Sequence, residues 1–215
     1  MNRFRASIAA AFALATAAAA APPLAAQGVN PAVQKGSMSR AKGASTATVI
    51  VHEFADFQCA HCAQFATEIY PRIDSAFIKT GKVQWVFVNV PMPTHGAAWI
   101  AHEAAVCAGA IADRFWAMHD RLYQRQAQWA SAPDPAAFMT RLAAEVGVPA
   151  LQFESCVARD WMAPLLAEDL LFAGSVRVNG TPAFIIDRQQ SLMGVKSFEE
   201  WKMLLEKAIA AKSKR

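Results

Sequence analysis

Residues 48–65 read Thr48-Val49-Ile50-Val51-His52-Glu53-Phe54-Ala55-Asp56-Phe57-Gln58-Cys59-Ala60-His61-Cys62-Ala63-Gln64-Phe65, a Cys-x-x-Cys set directly behind an apolar run. Successive β-branched residues at 49–51 suit a strand buried on both faces. After Cys59 the period changes. Phe65, Ile69, Ile73 and Phe77 recur every four residues, the stripe of an amphipathic helix. The dithiol therefore stands where a strand hands over to a helix. There the first cysteine faces unpaired backbone N–H groups and the positive end of the helix dipole, and both favour thiolate over thiol.

Working outward, Thr80-Gly81 closes the helix and residues 82–90 form a second strong strand, stopped by Pro91 and Pro93. Strand, helix and strand with a short return predict a right-handed crossover between parallel strands. From Gly96 the texture is helical for nearly eighty residues and divides into about four or five helices. One of them is capped by Asp134 with Pro135 in its first position. The strand pattern resumes around 183–187, behind Val178-Asn179-Gly180-Thr181-Pro182. A short strand follows near 191–194, and Ser197 with Glu200 offers a capping box for a last helix. The organisation expected is a leader over 1–26, a loose, flexible lead-in over 27–46 with room for one short strand, the first part of an α/β domain over 47–95, an inserted helical domain over 96–174, and the second part of the α/β domain over 175–212.

The leader rests on composition. Arg3 and Arg5 precede an apolar, alanine-rich run to Ala21, and Pro22-Pro23-Leu24-Ala25-Ala26 supplies small residues for cleavage near Ala26. A secretory signal fits better than an organelle transit peptide, although the segment lacks acids, and alanine is too weakly apolar for a good permanent anchor. Removing it from 215 residues leaves 189, enough for one domain with an insertion. The formal charge of +4 falls to about +2 without the two leader arginines, which gives no basis for nucleic-acid binding. Export allows the four cysteines to be oxidised.

The dithiol has bland readings too: half of a zinc site, or an idle structural disulfide. Zinc wants four ligands, and the other two cysteines, Cys107 and Cys156, lack Cys-x-x-Cys spacing. Glu53, an acid in an apolar strand, is either buried for a purpose or at a solvated strand end. His52 faces the other side of that strand as a structural residue. His95, His102 and His119 are scattered through the helical region and read as packed or surface residues rather than metal ligands. Trp99, Phe115, Trp116, Tyr123 and Trp129 could line a groove, but their helical spacing assigns most of them to the core. Asn179-Gly180-Thr181 is a glycosylation sequon, discounted because it overlaps the Thr181-Pro182 loop.

Glu53-Phe54, Asp56-Phe57-Gln58 before Cys59-Ala60-His61-Cys62, the insertion motif Phe115-Trp116 with Met118-His119-Asp120, and Val178-Asn179-Gly180-Thr181-Pro182-Ala183-Phe184 occur in an order that resembles the DsbA-type disulfide oxidoreductases of bacterial envelopes, over about 47–210. Ala60 departs from the proline usual there. The resemblance implies an α/β thioredoxin fold, a mixed sheet flanked by helices, with an inserted helical domain. It implies that Cys59 is the nucleophile and Cys62 the resolving thiol, that His61 between them stabilises a neighbouring thiolate, and that Glu53 helps Cys62 exchange its proton. It implies that Thr181-Pro182 is a cis-proline loop facing the dithiol, where Thr181 pairs with a substrate peptide, rather than a plain strand-entry proline. A second disulfide occurs in part of the family. With compartment and parity this favours a Cys107–Cys156 bond over two buried free thiols.

The expectation is thus a periplasmic thiol:disulfide interchange protein, monomeric, without metal or other cofactor. It would donate its disulfide to reduced exported proteins and be reoxidised by a quinone-linked membrane oxidase. A reductase or isomerase is the alternative within this chemistry, a thiol-based metal-binding protein or a chaperone the alternative outside it.

Overall fold

The computed structural model describes residues 30–187 and 190–213. The expected leader and its cleavage point near Ala26 lie outside the described residues. The elements run α1 (Pro31–Ser39), β1 (Ala41–Lys42), β2 (Val49–Ala55), α2 (Ala60–Gln64), α3 (Tyr70–Ile73), β3 (Val83–Asn89), α4 (Ala98–Ala112), α5 (Phe115–Gln124), α6 (Gln126–Ala130), α7 (Pro135–Glu145), α8 (Ala150–Ala158), α9 (Ala163–Ser175), β4 (Ala183–Ile186), β5 (Gln190–Met193) and α10 (Phe198–Lys212). The strands form one sheet in the order β1-β3-β2-β4-β5. β2 and β3 are parallel, joined by the crossover their sequence calls for, and the other pairs are antiparallel.

α2 and α3 belong to one helical path from Ala60 to Ile78, widened to π-helical turns over Phe65–Ile69 and Asp74–Ile78. Pro71 lies within it and has no N–H to give, so the usual i→i−4 ladder is broken there and the chain relaxes around the gap. Apolar residues of this path, Phe65, Ile73 and Phe77, join Trp85, Phe184 and Trp201 in a core under one face of the sheet. A larger core lies between Phe57, Phe87 and the helical insertion. α4 runs through its middle and is buried nearly all round, which explains why its sequence shows no polar face.

The insertion holds six helices among the described residues, not four or five. α5 and α6 are separated at Arg125, whose backbone leaves the helical region between them. The capping expectations are met: Asp134 accepts from the Ala137 N–H, and Ser197 and Glu200 form a reciprocal capping box. Cys107 of α4 and Cys156 of α8 are bonded, with Cα atoms 6.1 Å apart.

The lead-in expected to be loose over 27–46 is a correction. Its described part holds α1 and β1. Asn30 caps α1 by accepting from the Ala32 N–H, with Pro31 in the first position, and α1 lies along α4. A Cβ on Gly36 would come within 2.8 Å of Val106 Cγ1, so the two helices meet at glycine rather than through an apolar stripe. That is why periodicity gave no sign of the helix.

Candidate active site

β2 ends at Ala55, and the loop Asp56–Gln58 delivers Cys59 as the N-cap residue of α2. Cys59 has an extended backbone (φ −75°, ψ 124°), the geometry of a chain about to enter a helix. It is partly exposed, whereas Cys62, one turn on, is fully buried. The two sulfurs differ in acidity accordingly. Cys59 is lowered to about 5, first by a hydrogen bond from Cys62, then, against the opposing effect of partial burial, by the Thr181 side chain and by the backbone N–H groups of Cys62 and His61. Cys62 is pushed up, first by burial and then by its acidic neighbour Cys59. The groups on Cys59 are the helix-start amides that sequence placed there, together with the second thiol. His61 contributes its backbone N–H, and the residue itself is exposed on the first turn of α2.

The Thr181-Pro182 peptide is cis and faces this site: the Cys59 thiol donates to the Thr181 carbonyl oxygen at 3.4 Å. Pro182 is buried beside β4. Neighbouring apolar exposure includes Met193, whose methyl would lie 3.4 Å from a Cβ on Gly180.

Glu53 is fully buried on β2, opposite Phe87 on one side and Phe184 on the other. Its Oε2 accepts from Trp85 Nε1 at 2.7 Å, while Oε1 has no hydrogen-bond partner. Burial, only partly offset by the Trp85 bond, pushes this carboxyl up to about 7. Glu53 therefore changes charge near neutrality. Tyr70 and Tyr123, both buried, feel its charge, and Tyr123 also feels Cys59 and Cys62, so the acid and the dithiol share one electrostatic neighbourhood. His52 lies on the other face of β2, edge-on to Phe172 at 5.6 Å.

Several groups that sequence reasoning left unassigned hold the loop. Gln126 Nε2 donates to the carbonyl oxygens of Phe57 (2.7 Å) and Cys59 (3.0 Å), and the Tyr123 hydroxyl donates to that of Asp56 (3.4 Å). Gln58 Oε1 accepts from the Ala97 N–H at 2.9 Å. The Asp56 carboxylate accepts from the N–H groups of Gln58 and Met92 and pairs with His95. No local pattern marks these partners, since they come from α5, α6 and the segment between β3 and α4. His119 packs in an aromatic group with Phe57, Trp116 and Tyr123 and bonds to Asp120. Among the described residues no three His, Cys, Asp or Glu side chains gather as metal ligands. No described helix is long and apolar enough to cross a membrane.

A thioredoxin family model matches residues 35–207. The disulfide bond formation protein D of Bacillus subtilis is 34% identical over 84 residues, covering 39% of this chain and 38% of that protein. A putative protein-disulfide oxidoreductase of Rickettsia prowazekii is 28% identical over 153 residues, 69% of this chain and 54% of the relative. The chain thus spans between about a third and little more than half of these curated relatives. Among solved structures, oxidised BdbD of Bacillus subtilis superposes with a TM-score of 0.71 at 24% identity, covering 82% of this chain and 94% of that one.

Proposed function

The chain belongs to the thioredoxin family, and on that premise we propose that it is a thiol:disulfide interchange protein that donates its Cys59–Cys62 disulfide to folding substrate proteins. The observation that carries this is the split between the two sulfurs: a partly exposed Cys59 lowered to about 5 beside a buried Cys62 pushed up. A thiolate of the substrate attacks the Cys59 sulfur. The Cys59–Cys62 bond breaks, its electron pair passes to Cys62, and a mixed disulfide forms on Cys59. A second substrate thiolate then attacks the substrate sulfur of that mixed disulfide, and Cys59 departs with the electron pair. A sulfur of low pKa leaves fast and stabilises the reduced form, which makes the disulfide oxidising.

Cys62 leaves into a buried site and needs a proton there. Glu53, poised near neutrality by burial, is the group we assign to exchange it. The cis Thr181-Pro182 loop opposite Cys59 suits an extended substrate segment, with Thr181 backbone groups pairing with it as an added strand. In this reading His61 acts at the dithiol through its helix-start N–H. The leader composition supports export to the periplasm, the names of the relatives support disulfide chemistry on proteins, and the family resemblance implies reduced exported proteins as substrates and reoxidation by a quinone-linked membrane oxidase.

The test is oxidative refolding of reduced ribonuclease. The protein with its disulfide intact should restore activity, and Cys59→Ser and Cys62→Ser, neither of which can form that disulfide, should both abolish this. Full refolding assistance by Cys59→Ser would point to a chaperone. Failure to refold ribonuclease, with tight metal binding that requires both cysteines, would point to a metal-binding protein.

A further inference from the structure

The loop that carries Cys59 is fixed by a fully buried carboxylate on Asp56. Its Oδ1 accepts from the Gln58 N–H at 2.7 Å, and its Oδ2 accepts from the Met92 N–H at 2.8 Å and lies 2.7 Å from His95 Nδ1. The backbone of the same residue touches the dithiol directly. Its carbonyl oxygen accepts from the Cys59 N–H at 3.1 Å, and a backbone hydrogen bond runs between Asp56 and the Cys62 sulfur.

Behind this carboxylate stands a second line of buried groups. His102 Nε2 accepts from the Phe57 N–H at 3.3 Å and is 3.6 Å from Asp56 Oδ1. Its Nδ1 lies 2.8 Å from Asn89 Oδ1. That oxygen is an acceptor, so Nδ1 carries a proton. The Asn89 amide in turn donates to Asp169 Oδ2 at 2.6 Å, its backbone N–H donates to the same oxygen at 2.9 Å, and Arg40 is paired with it. Four side chains, from the segment before β1, the end of β3, α4 and α9, thus form one buried hydrogen-bonded line that reaches the dithiol loop at the Phe57 N–H, next to Asp56.

We propose that Asp56 is a positioning residue of the dithiol, pinning the loop that presents the helix-start N–H groups to Cys59, and that the same loop is held at the Phe57 N–H through His102 and Asn89 from the Arg40–Asp169 pair. A thiolate is stabilised by amides only when they point at it, and a loop free to rock by a few tenths of an ångström loses that alignment. A fully satisfied buried polar network gives rigidity of this kind, because any rearrangement would leave a donor or acceptor unpaired. No Asp56 or His102 atom needs to touch substrate.

This inference rests on the redox reading of the site, and the measurement separates the two. Thiolate absorbance at 240 nm against pH in the reduced protein, and equilibrium with glutathione, are compared for the parent, Asp56→Asn, Asp56→Ala and Asn89→Ala, with circular dichroism to verify the fold. An ordinary thiol pKa in the parent overturns the redox reading itself. Given an acidic Cys59 in the parent, Asp56→Ala is expected to raise its pKa by about one unit and to make the disulfide about tenfold less oxidising, equivalent to about 30 mV. Asp56→Asn, which keeps an acceptor for one of the two N–H groups, should fall between. Should Asp56→Ala fail to fold, Asn89→Ala decides: it alters no charge and should shift the equilibrium about threefold in the same direction. Two outcomes overturn the proposal. One is folded variants with altered stability and unchanged Cys59 acidity, which makes the network structural only. The other is an equal lowering of the Cys59 pKa in both Asp56 variants, which makes Asp56 a mere charge.

Discussion

Replacing Glu53 by glutamine removes an ionisation that the fold opposes. The Glu53 carboxyl is fully buried, has one donor in Trp85, and is pushed from an ordinary 4.5 to about 7. In the unfolded chain it gives up its proton near 4.5, whereas in the folded chain it keeps it until about 7. Folding therefore takes up a proton between these values, and stability falls as pH rises through that window. Below 4.5 both states are protonated and the penalty is absent; above about 7 it is complete. The distance from 4.5 to about 7, at 1.36 kcal/mol per pH unit, corresponds to roughly 3 kcal/mol. Glutamine cannot ionise, and its carbonyl oxygen can still accept from Trp85. Glu53→Gln should match the parent at pH 4 and exceed it at pH 8 by up to about 3 kcal/mol, a shift of the urea midpoint of about 1 to 2 M. The assay is urea unfolding of the disulfide form at both pH values, which keeps Cys59 out of the titration. A difference between variant and parent that is the same at pH 4 and pH 8 would refute the reasoning. The same variant should lose turnover in disulfide donation, since Cys62 then lacks its proton partner.

Two further outcomes follow from the thiols. The largest influence lowering Cys59 is the hydrogen bond from Cys62, so Cys62→Ala should raise the Cys59 pKa by one unit or more and Cys62→Ser, which keeps a donor, by less, as read by the pH dependence of alkylation. The Cys107–Cys156 bond closes a span of 49 residues, and the chain-entropy relation gives about 4 kcal/mol for such a loop; a double Cys107→Ala, Cys156→Ala variant should lose about 2 to 4 kcal/mol in urea unfolding while leaving the Cys59 acidity unchanged.

What sequence could reveal was local. The β-branched run at 49–51, the four-residue stripe from Phe65, the caps at Asp134 and Ser197 and the Cys59-x-x-Cys62 spacing each express a rule that acts over a few residues, and the described elements follow them. The fold also brings Thr181 to Cys59 across 122 residues, a contact that spacing could not give and that only the family resemblance implied. Asp56, His95 and His102 are the opposite case. They lie within one small volume, but 39 residues separate Asp56 from His95, and each alone is an unremarkable polar residue. Gln126 was invisible for the same reason, because a glutamine on a short helix carries no signal until the loop carbonyls it meets are known. α1 was missed because its contact with α4 is made by glycine and small side chains, although Asn30-Pro31 is a start signal that could have been read.

The central claim is that the reduced protein holds Cys59 as a thiolate at neutral pH while Cys62 stays protonated. With Cys59 at about 5 and an ordinary thiol at 9.0, the ionisation favours the reduced form at pH 7 only over the two units between 5 and 7, at most about 2.7 kcal/mol and nearer 1 to 2 once solvent screening of a half-exposed sulfur is allowed for. That makes the disulfide about 20 to 60 mV more oxidising than one with ordinary thiols. The sign is fixed: this contribution is lost as pH falls through about 5. The reduction potential of the Cys59–Cys62 pair, measured from pH 4 to pH 8.5, tests this most directly. The expected slope is about −60 mV per pH unit below pH 5 and about −30 mV per unit above it, because only Cys62 takes up a proton there. A slope of about −60 mV per unit maintained through neutrality would contradict it.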